Sequence, residues 1–516
     1  MLHRSITRRN LWWLPLLICL SASCGDAPSG SAAVLRIGLE GNPTNLDPRF
    51  ATDAYSTRIL PLVYEGLLQP DPQGILAPGL AESWAMVDPV TYRFTLREGL
   101  QWQDGSPLTS ADVAATFRFL ADPKNKCPAQ DTFQRLAGIE TPDERTILLR
   151  LNDPFTPFLE KMTRAIVPAK LQDPAALEAG PIGSGPYRLT AYDRGRLVVL
   201  EANEKYRGGA PAIKRLEFVV VVNDTTRLLR LEKGDLHLVL NAVPPYAVKF
   251  FEKRPGWRVR RAPGVNYSYL GFNLADKKGL VSDARVRQAV ALAIDREQII
   301  KTLLFDTARP ADGLLVPNNW AYEKNVMTYP SDPAAAKRLL DEAGWPDPDG
   351  DGPRPRFALS YKTSTSKLRM RIADVLAQQL AAVGIRLDRR SLEWGTFFED
   401  IKNGNFQTYT LIWVGVTDPD HLYYVFHSSM QPPKGANRGR YVNRQVDGWL
   451  DQSRRTTILE DRKNLYRRVQ RQIAEDCVYV SLWWADNVVV HTDRLEGFVI
   501  YPGGEYLSLA RARLKP

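Results

Sequence analysis

The stretch from Phe357 to Arg390 most constrains what this chain can fold into. "FALSY" (Phe357–Tyr361) is a short strand-forming run. A polar turn leads into a segment with Leu368, Ile372, Val375, Leu376, Leu380 and Val383 at helical spacing, one apolar face. Gly384 stops that helix and "GIRLDRR" resumes a strand. Strand, helix and strand so joined bury their apolar faces only if the two strands run parallel with the helix across them. The pattern recurs. In "NDTTRLLRLEKGDLHLVL" Asp224 is the expected N-cap and Gly234 the stop. In "SDPAAAKRLLDEAG" Asp332 caps, Pro333 takes the first helical position and Gly344 lies beyond the end. A last helix carries Leu465, Val469 and Ile473 ahead of a strand over Val478–Trp484. The fold class is α/β. At 516 residues the chain is long enough for two or three lobes.

The first residues stand apart from this globule. Arg4, Arg8 and Arg9 precede the apolar run Leu11–Leu20, which falls short of the about 20 residues a spanning helix needs and reads as an export signal. "LSASCGD" then resembles a bacterial lipobox, with Cys24 as the residue that would carry the lipid, although Ser21 stands where Leu is usual. "TRRNLW" resembles a twin-arginine signal, but the strongly apolar run fits the general secretion route better. "GDAPSGSAA" reads as a flexible tether.

Composition narrows the function by exclusion. The net charge of +10 is spread without a dense basic block or interleaved aromatics, so no nucleic-acid partner is expected. There is no nucleophile elbow, phosphate-cradling loop, Cys-x-x-Cys pair or metalloprotease helix, and five histidines leave few general bases, so no enzyme and no cofactor are expected. Asp347, Asp349, Asp351 and Gly352 mimic the start of a calcium loop. The twelfth position, where a bidentate Glu belongs, is Ala358, so a solvated turn is the better reading and no metal site is expected. Cys127 and Cys477 could pair in an oxidising compartment or remain buried thiols.

Several motifs together resemble the extracellular solute-binding proteins of the peptide/nickel class that serve ABC importers. They are "LAPGLAESWAMVDPVTYRFTLREGLQWQDGSPLTSADVAATFRFL" (Leu76–Leu120), "NLDP" (Asn45–Pro48), "VYEGL" (Val63–Leu67), "GSGPYRL" (Gly183–Leu189), "NEKYRGGAP" (Asn203–Pro211), "YLGFN" (Tyr269–Asn273) and "DARVRQAVALAIDRE" (Asp283–Glu297). Within the first, Tyr92, Phe94 and Leu96 alternate with polar residues, and Thr109 or Ser110 precedes a helix with Asp112 in its first turn. The resemblance implies a two-lobed periplasmic-binding-protein fold with an extra domain inserted in the first lobe. Residues 1–23 would be the signal, 24–32 the tether, 33–67, 183–282 and 487–516 the first lobe, 68–182 the extra domain and 283–486 the second lobe, with crossings near Ser282 and Ala485. The implied partners are a peptide or peptide-like solute, ABC permease subunits and the membrane through the lipid anchor, for a monomer exported to the cell envelope.

The resemblance also implies a site. Tyr55 and Ser56 would come from the first lobe, Asn273 from the end of "YLGFN", and Trp413, Gly415, Val416, Thr417 and Asp420 from the second. In peptide-binding members an Asp shortly after the Trp reads the peptide's ammonium group. Here that position falls on Val416, and Asp418 and Asp420 are the nearest carboxylates, Asp420 being also the expected cap of a helix from His421. Two alternatives stay open: a nickel-chelate or other metal-complex binder using His421 or His427, and a sensor lipoprotein that presents its ligand to a signalling partner.

Overall fold

The computed structural model describes residues 34–515 except 129, 277, 278 and 351. The expected signal, tether and Cys24 lie outside the described residues. Among the described residues, eleven strands form one sheet that runs through both lobes. In the first lobe, Val34–Leu39 lies parallel to both Arg215–Val220 and Leu238–Leu240. In the second, Phe357–Ser364 lies parallel to both Ile385–Leu392 and Thr408–Trp413. The helix Lys367–Ala381 crosses over as its apolar face requires. Ile372, Leu376, Leu380 and Val383 are buried and Leu368 and Val375 pack at the edge of the same core. Each such full burial is worth about 2 kcal/mol.

Two long antiparallel strands, Trp257–Phe272 and Tyr479–Thr492, join the parallel trios. Between Ala262 and Asn266 their register shifts, and the partners change there. Up to Ala262 the pair borders Leu238–Leu240, whereas from Tyr267 onward it borders Thr408–Trp413. Beyond the shift, Tyr267 and Tyr269 enter one core and Leu270 and Phe272 another, as the period of two demands. The crossing between lobes therefore sits at Ala262–Asn266, not near Ser282. The strand pattern runs unbroken through the bulge, so the sequence carries no boundary there. A Cβ on Gly264 would collide with the carbonyl of Ala485 in the facing strand, which keeps the two crossings in close contact.

The inserted domain has its own core between Leu67 and Ile166. Four antiparallel strands, Ala81–Asp88, Thr91–Leu96, Thr146–Leu151 and Leu136–Glu140, are paired in that order. Tyr92, Phe94 and Leu96 face the core. Thr109 caps the helix Ser110–Ala121 in a reciprocal box, Asp112 reaching back to the Thr109 N–H at 2.9 Å.

Some local expectations need correction. The cap of Asp224–Glu232 is Asn223, whose side chain accepts from the Thr226 N–H. Asp224 begins the helix, and its carboxylate meets Arg227. In the acid-rich turn, which the sequence reading already took as a turn, Asp349 Oδ2 accepts from the Arg354 N–H at 3.0 Å while Oδ1 is buried without a partner. Cys127 and Cys477 are both free and sit in separate cores, so they do not pair.

Candidate ligand-binding cleft

In open α/β sheets, ligands bind beyond the carboxyl ends of the parallel strands. Both trios here aim those ends at the same crossing. On the first-lobe side, Asn241 follows Leu238–Leu240 and bonds Asn487 at 2.7 Å. On the second-lobe side, Gly415 follows Thr408–Trp413 and donates its N–H to Asn266 Oδ1 at 3.0 Å. Strand direction thus makes this crossing the candidate cleft.

On the first-lobe wall, Glu40 follows Val34–Leu39 and accepts from Tyr55 Oη at 3.4 Å. Glu40 is solvent-accessible yet surrounded by protein, and that desolvation raises its pKa. Gly41 lets the Tyr55 ring lie against the backbone, since a Cβ there would clash with it. Tyr55 is therefore held at the wall. Ser56 is not: it is fully buried, its N–H goes to the capping Asp53 and its Oγ accepts from the Asn45 N–H. Sequence reasoning placed Ser56 in the site, but its position in the first turn points it inward.

On the second-lobe wall, Trp413 stacks parallel to Tyr269 with centroids 6.2 Å apart and meets His421 edge-on at 4.9 Å. Gly415, at φ +69, turns the chain so that Val416 drops back into the core at 0% exposure, while Thr417 stays exposed and its carbonyl accepts from Asn319 Nδ2 at 2.8 Å. Val416 thus buttresses the wall without lining it. Asn273 is also withdrawn. Its Nδ2 donates to the carbonyls of Gly404 and Phe406 at 3.0 and 3.1 Å, and its Oδ1 accepts from the Ala275 N–H. Asp420 likewise differs from expectation. It precedes the helix His421–Phe426 but makes no side-chain cap, because Arg454 holds its carboxylate at 2.8 and 3.0 Å. Asp418 accepts the Asp420 N–H at 2.9 Å and pairs with Lys161 at 3.4 Å.

The sequence reading missed a row of cations and rings beside Trp413. Arg369, in the first turn of Lys367–Ala381, lies 5.4 Å from the Trp394 ring. Trp394 stacks on Phe398 at 5.7 Å. Arg438 lies 5.3 Å from Phe398 and 4.4 Å from Trp413. Arg438 is only 9% exposed, whereas Trp394 at the outer end is 49% exposed. Among the described residues, neither arginine has a carboxylate within ion-pair distance, and the one hydrogen bond of the Arg438 guanidinium goes to Tyr269 Oη at 3.3 Å. Burial lowers the pKa of Arg369. Nothing in "GANRGRYVN" separates Arg438 from the rest of the chain's 68 lysines and arginines.

Among the described residues, no group of three or more His, Cys, Asp or Glu is placed to hold a metal ion. His421 Nε2 and Trp413 Nε1 are nevertheless buried without a partner, and burial pushes the His421 pKa down to about 4. A depression of about 610 Å³ lined by Pro317, Tyr322 to Asn325, Asn464, Arg467, Arg468 and Arg471 shares no residue with these cleft groups.

Comparison with known proteins agrees with this geometry. The sequence pattern of the bacterial extracellular solute-binding proteins, family 5 (middle region), matches residues 76–432. Protein XP55 of Streptomyces lividans is 32% identical, over 92% of this chain and 87% of its own. The oligopeptide-binding protein AppA of Bacillus subtilis is 29% identical over 96% of each chain. The structure of AppA with a nonapeptide superposes with a TM-score of 0.79 at 28% identity, covering 94% of this chain and 99% of that one. NikZ of Campylobacter jejuni with Ni(L-His) superposes with a TM-score of 0.81 at 25% identity, covering 94% and 100%.

Proposed function

The chain belongs to the bacterial extracellular solute-binding proteins of family 5, and on that premise we propose that it captures a peptide or peptide-like solute between its lobes and delivers it to ABC permease subunits. The observation that carries this reading is the convergence of both parallel trios on one crossing, with Tyr55 on one wall and Trp413 and Gly415 on the other. Such a hinge suits capture by closure, because a solute touching both walls favours the closed arrangement by its differential contacts. The site is aromatic, with a few polar anchors that orient the solute. Binding is the whole of the activity, with no catalytic step. The protein acts as a monomer tethered at the cell envelope by a lipid on Cys24.

The test is recovery of the co-purifying ligand by native mass spectrometry, together with the N-terminal mass of membrane-fraction protein. A bound peptide or peptide derivative and an acylated Cys24 are expected. An unmodified N-terminus elsewhere would remove the anchor, and a ligand unrelated to peptides would remove the solute class.

A second reading rests on His421, whose partnerless Nε2 lies beside Trp413. A chelated metal brings most of its ligands with it, so a single neutral imidazole can complete the coordination without a protein cluster. Stoichiometric nickel in protein purified from nickel- and histidine-supplemented medium, lost in His421→Ala, would favour this reading.

A further inference from the structure

We propose that the second-lobe depression lying apart from the cleft groups is a seat for a phosphate group carrying two negative charges. This goes beyond the capture reading and does not depend on it. One wall is the helix Leu459–Glu475, on which Asn464, Arg467, Arg468 and Arg471 fall at i, i+3, i+4 and i+7 and so share a face. The other wall is the segment 322–325, which adds Lys324. Gln470 ties the walls together, donating from Nε2 to the Ala321 carbonyl at 2.8 Å. The volume, about 610 Å³, is that of a small-molecule site, about 300–1,000 Å³. Four cations thus line one hollow against a single lining carboxylate, Glu323. That carboxylate is spent: it is buried and accepts from the Asn325 N–H and from Arg471, each at 2.7 Å. Arg467 is held by Asn464 Oδ1 at 3.1 Å and by the exposed Glu460 at 3.2 Å, which does not line the hollow. Among the described residues, Arg468 and Lys324 have no carboxylate within ion-pair distance. Like charges gathered in a hollow focus a positive potential that draws in an anion. A merely solvated basic face would splay its cations outward, whereas here a second wall sets Lys324 across from the helix. A phosphate suits this set, because its oxygens accept from guanidinium forks in pairs and its two charges match the two uncommitted cations.

The phosphate can belong to a free compound or to a lipid headgroup, and the probes separate the two. Inorganic pyrophosphate, a short-chain soluble phosphatidic acid and citrate are titrated calorimetrically into the full-length protein. One phosphate probe per chain is expected, bound at least tenfold tighter than citrate. Lys324→Ala combined with Arg468→Ala should weaken it at least tenfold. Both side chains are exposed, so the fold should hold. The charge-matched pair Lys233→Ala with Lys253→Ala, at exposed positions of the first lobe, should change it less than twofold. Phosphatidic acid binding at least tenfold tighter than pyrophosphate, and lost with Lys324 and Arg468, supports the seat and assigns it to a lipid headgroup. Pyrophosphate binding as tightly or more tightly, and lost in the same way, supports the seat and assigns it to a free phosphate compound. Citrate as tight as either phosphate probe overturns the phosphate seat. Equal weakening by the two double variants overturns it too, leaving only diffuse charge attraction, as does a failure of both phosphate probes to bind.

Discussion

Lys161 of the inserted domain stands 3.4 Å from Asp418, just beyond the Trp413 wall, so the domain inserted in the first lobe touches the cleft segment of the second. The contact is wider than one ion pair. Thr156 Oγ1 donates to the carbonyls of Ser453 and Arg454, each at 3.2 Å, and Arg454 lies 4.9 Å from the Phe155 ring. A lobe opening that separated these two surfaces would break this contact.

The contact is proton-sensitive. Burial, and next the charge of Asp418, push the Glu160 pKa from the ordinary 4.5 up to about 7. Opening removes Asp418 and returns the group toward its ordinary value. Below the ordinary value Glu160 is neutral in both arrangements, so its support for closure is fully present there and is lost as pH rises through about 7. Small-angle scattering of the ligand-free protein should give a smaller radius of gyration at acidic than at alkaline pH, and Glu160→Gln should stay compact throughout. Identical pH responses in both proteins would refute this. Lys161→Ala should matter less, by under about 1 kcal/mol, because the ammonium is partly exposed.

Free peptides should have no strong advantage over N-blocked ones. Val416 is fully buried, and Asp418 and Asp420 are committed to Lys161 and Arg454. Calorimetry with matched free and N-acetylated peptides should find affinities within about tenfold, or about 1.4 kcal/mol. A larger preference for the free form, abolished by Glu40→Gln, would instead make Glu40 the ammonium reader.

Arg227→Met should destabilise the first lobe. Arg227 is 1% exposed and donates to the carbonyls of Ala242 at 2.8 Å and Val221 at 2.6 Å, where the first-lobe strands end. Its partner Asp224 is exposed, so most of the loss comes from orphaned carbonyls. Urea unfolding should show a loss of about 3 kcal/mol, at roughly 1–3 kcal/mol per unsatisfied group. A change below about 0.5 kcal/mol would mean that water takes over those carbonyls.

Cys127 and Cys477 should be inert in the native protein. Burial raises both thiols, Cys477 to about 12, so thiolate is scarce at neutral pH. Ellman's reagent should react with neither before unfolding, and a reductant should leave Tm unchanged. A reductant-sensitive Tm would show that a disulfide stabilises the fold.

What the sequence by itself determined is whatever depends on near neighbours in the chain. The apolar face of Lys367–Ala381 repeats every three or four residues, Asp332 caps within its own turn, and Thr109 and Asp112 close their box within one turn. Such features follow from local geometry and are legible to within a residue, as the slip from Asn223 to Asp224 shows, both being able to cap. The family motifs likewise led to the Trp413 segment. Only the tertiary structure decided where the lobes cross and which charges are committed. The strand from Trp257 to Phe272 changes partners at Ala262–Asn266 without any change in its pattern. Asp420 reads as a cap until Arg454 claims it, and Asn273 reads as an anchor until Gly404 and Phe406 do. Arg438 gains its character from what is missing around it. A cation's role depends on which groups folding brings within hydrogen-bond reach, and distant segments set those distances.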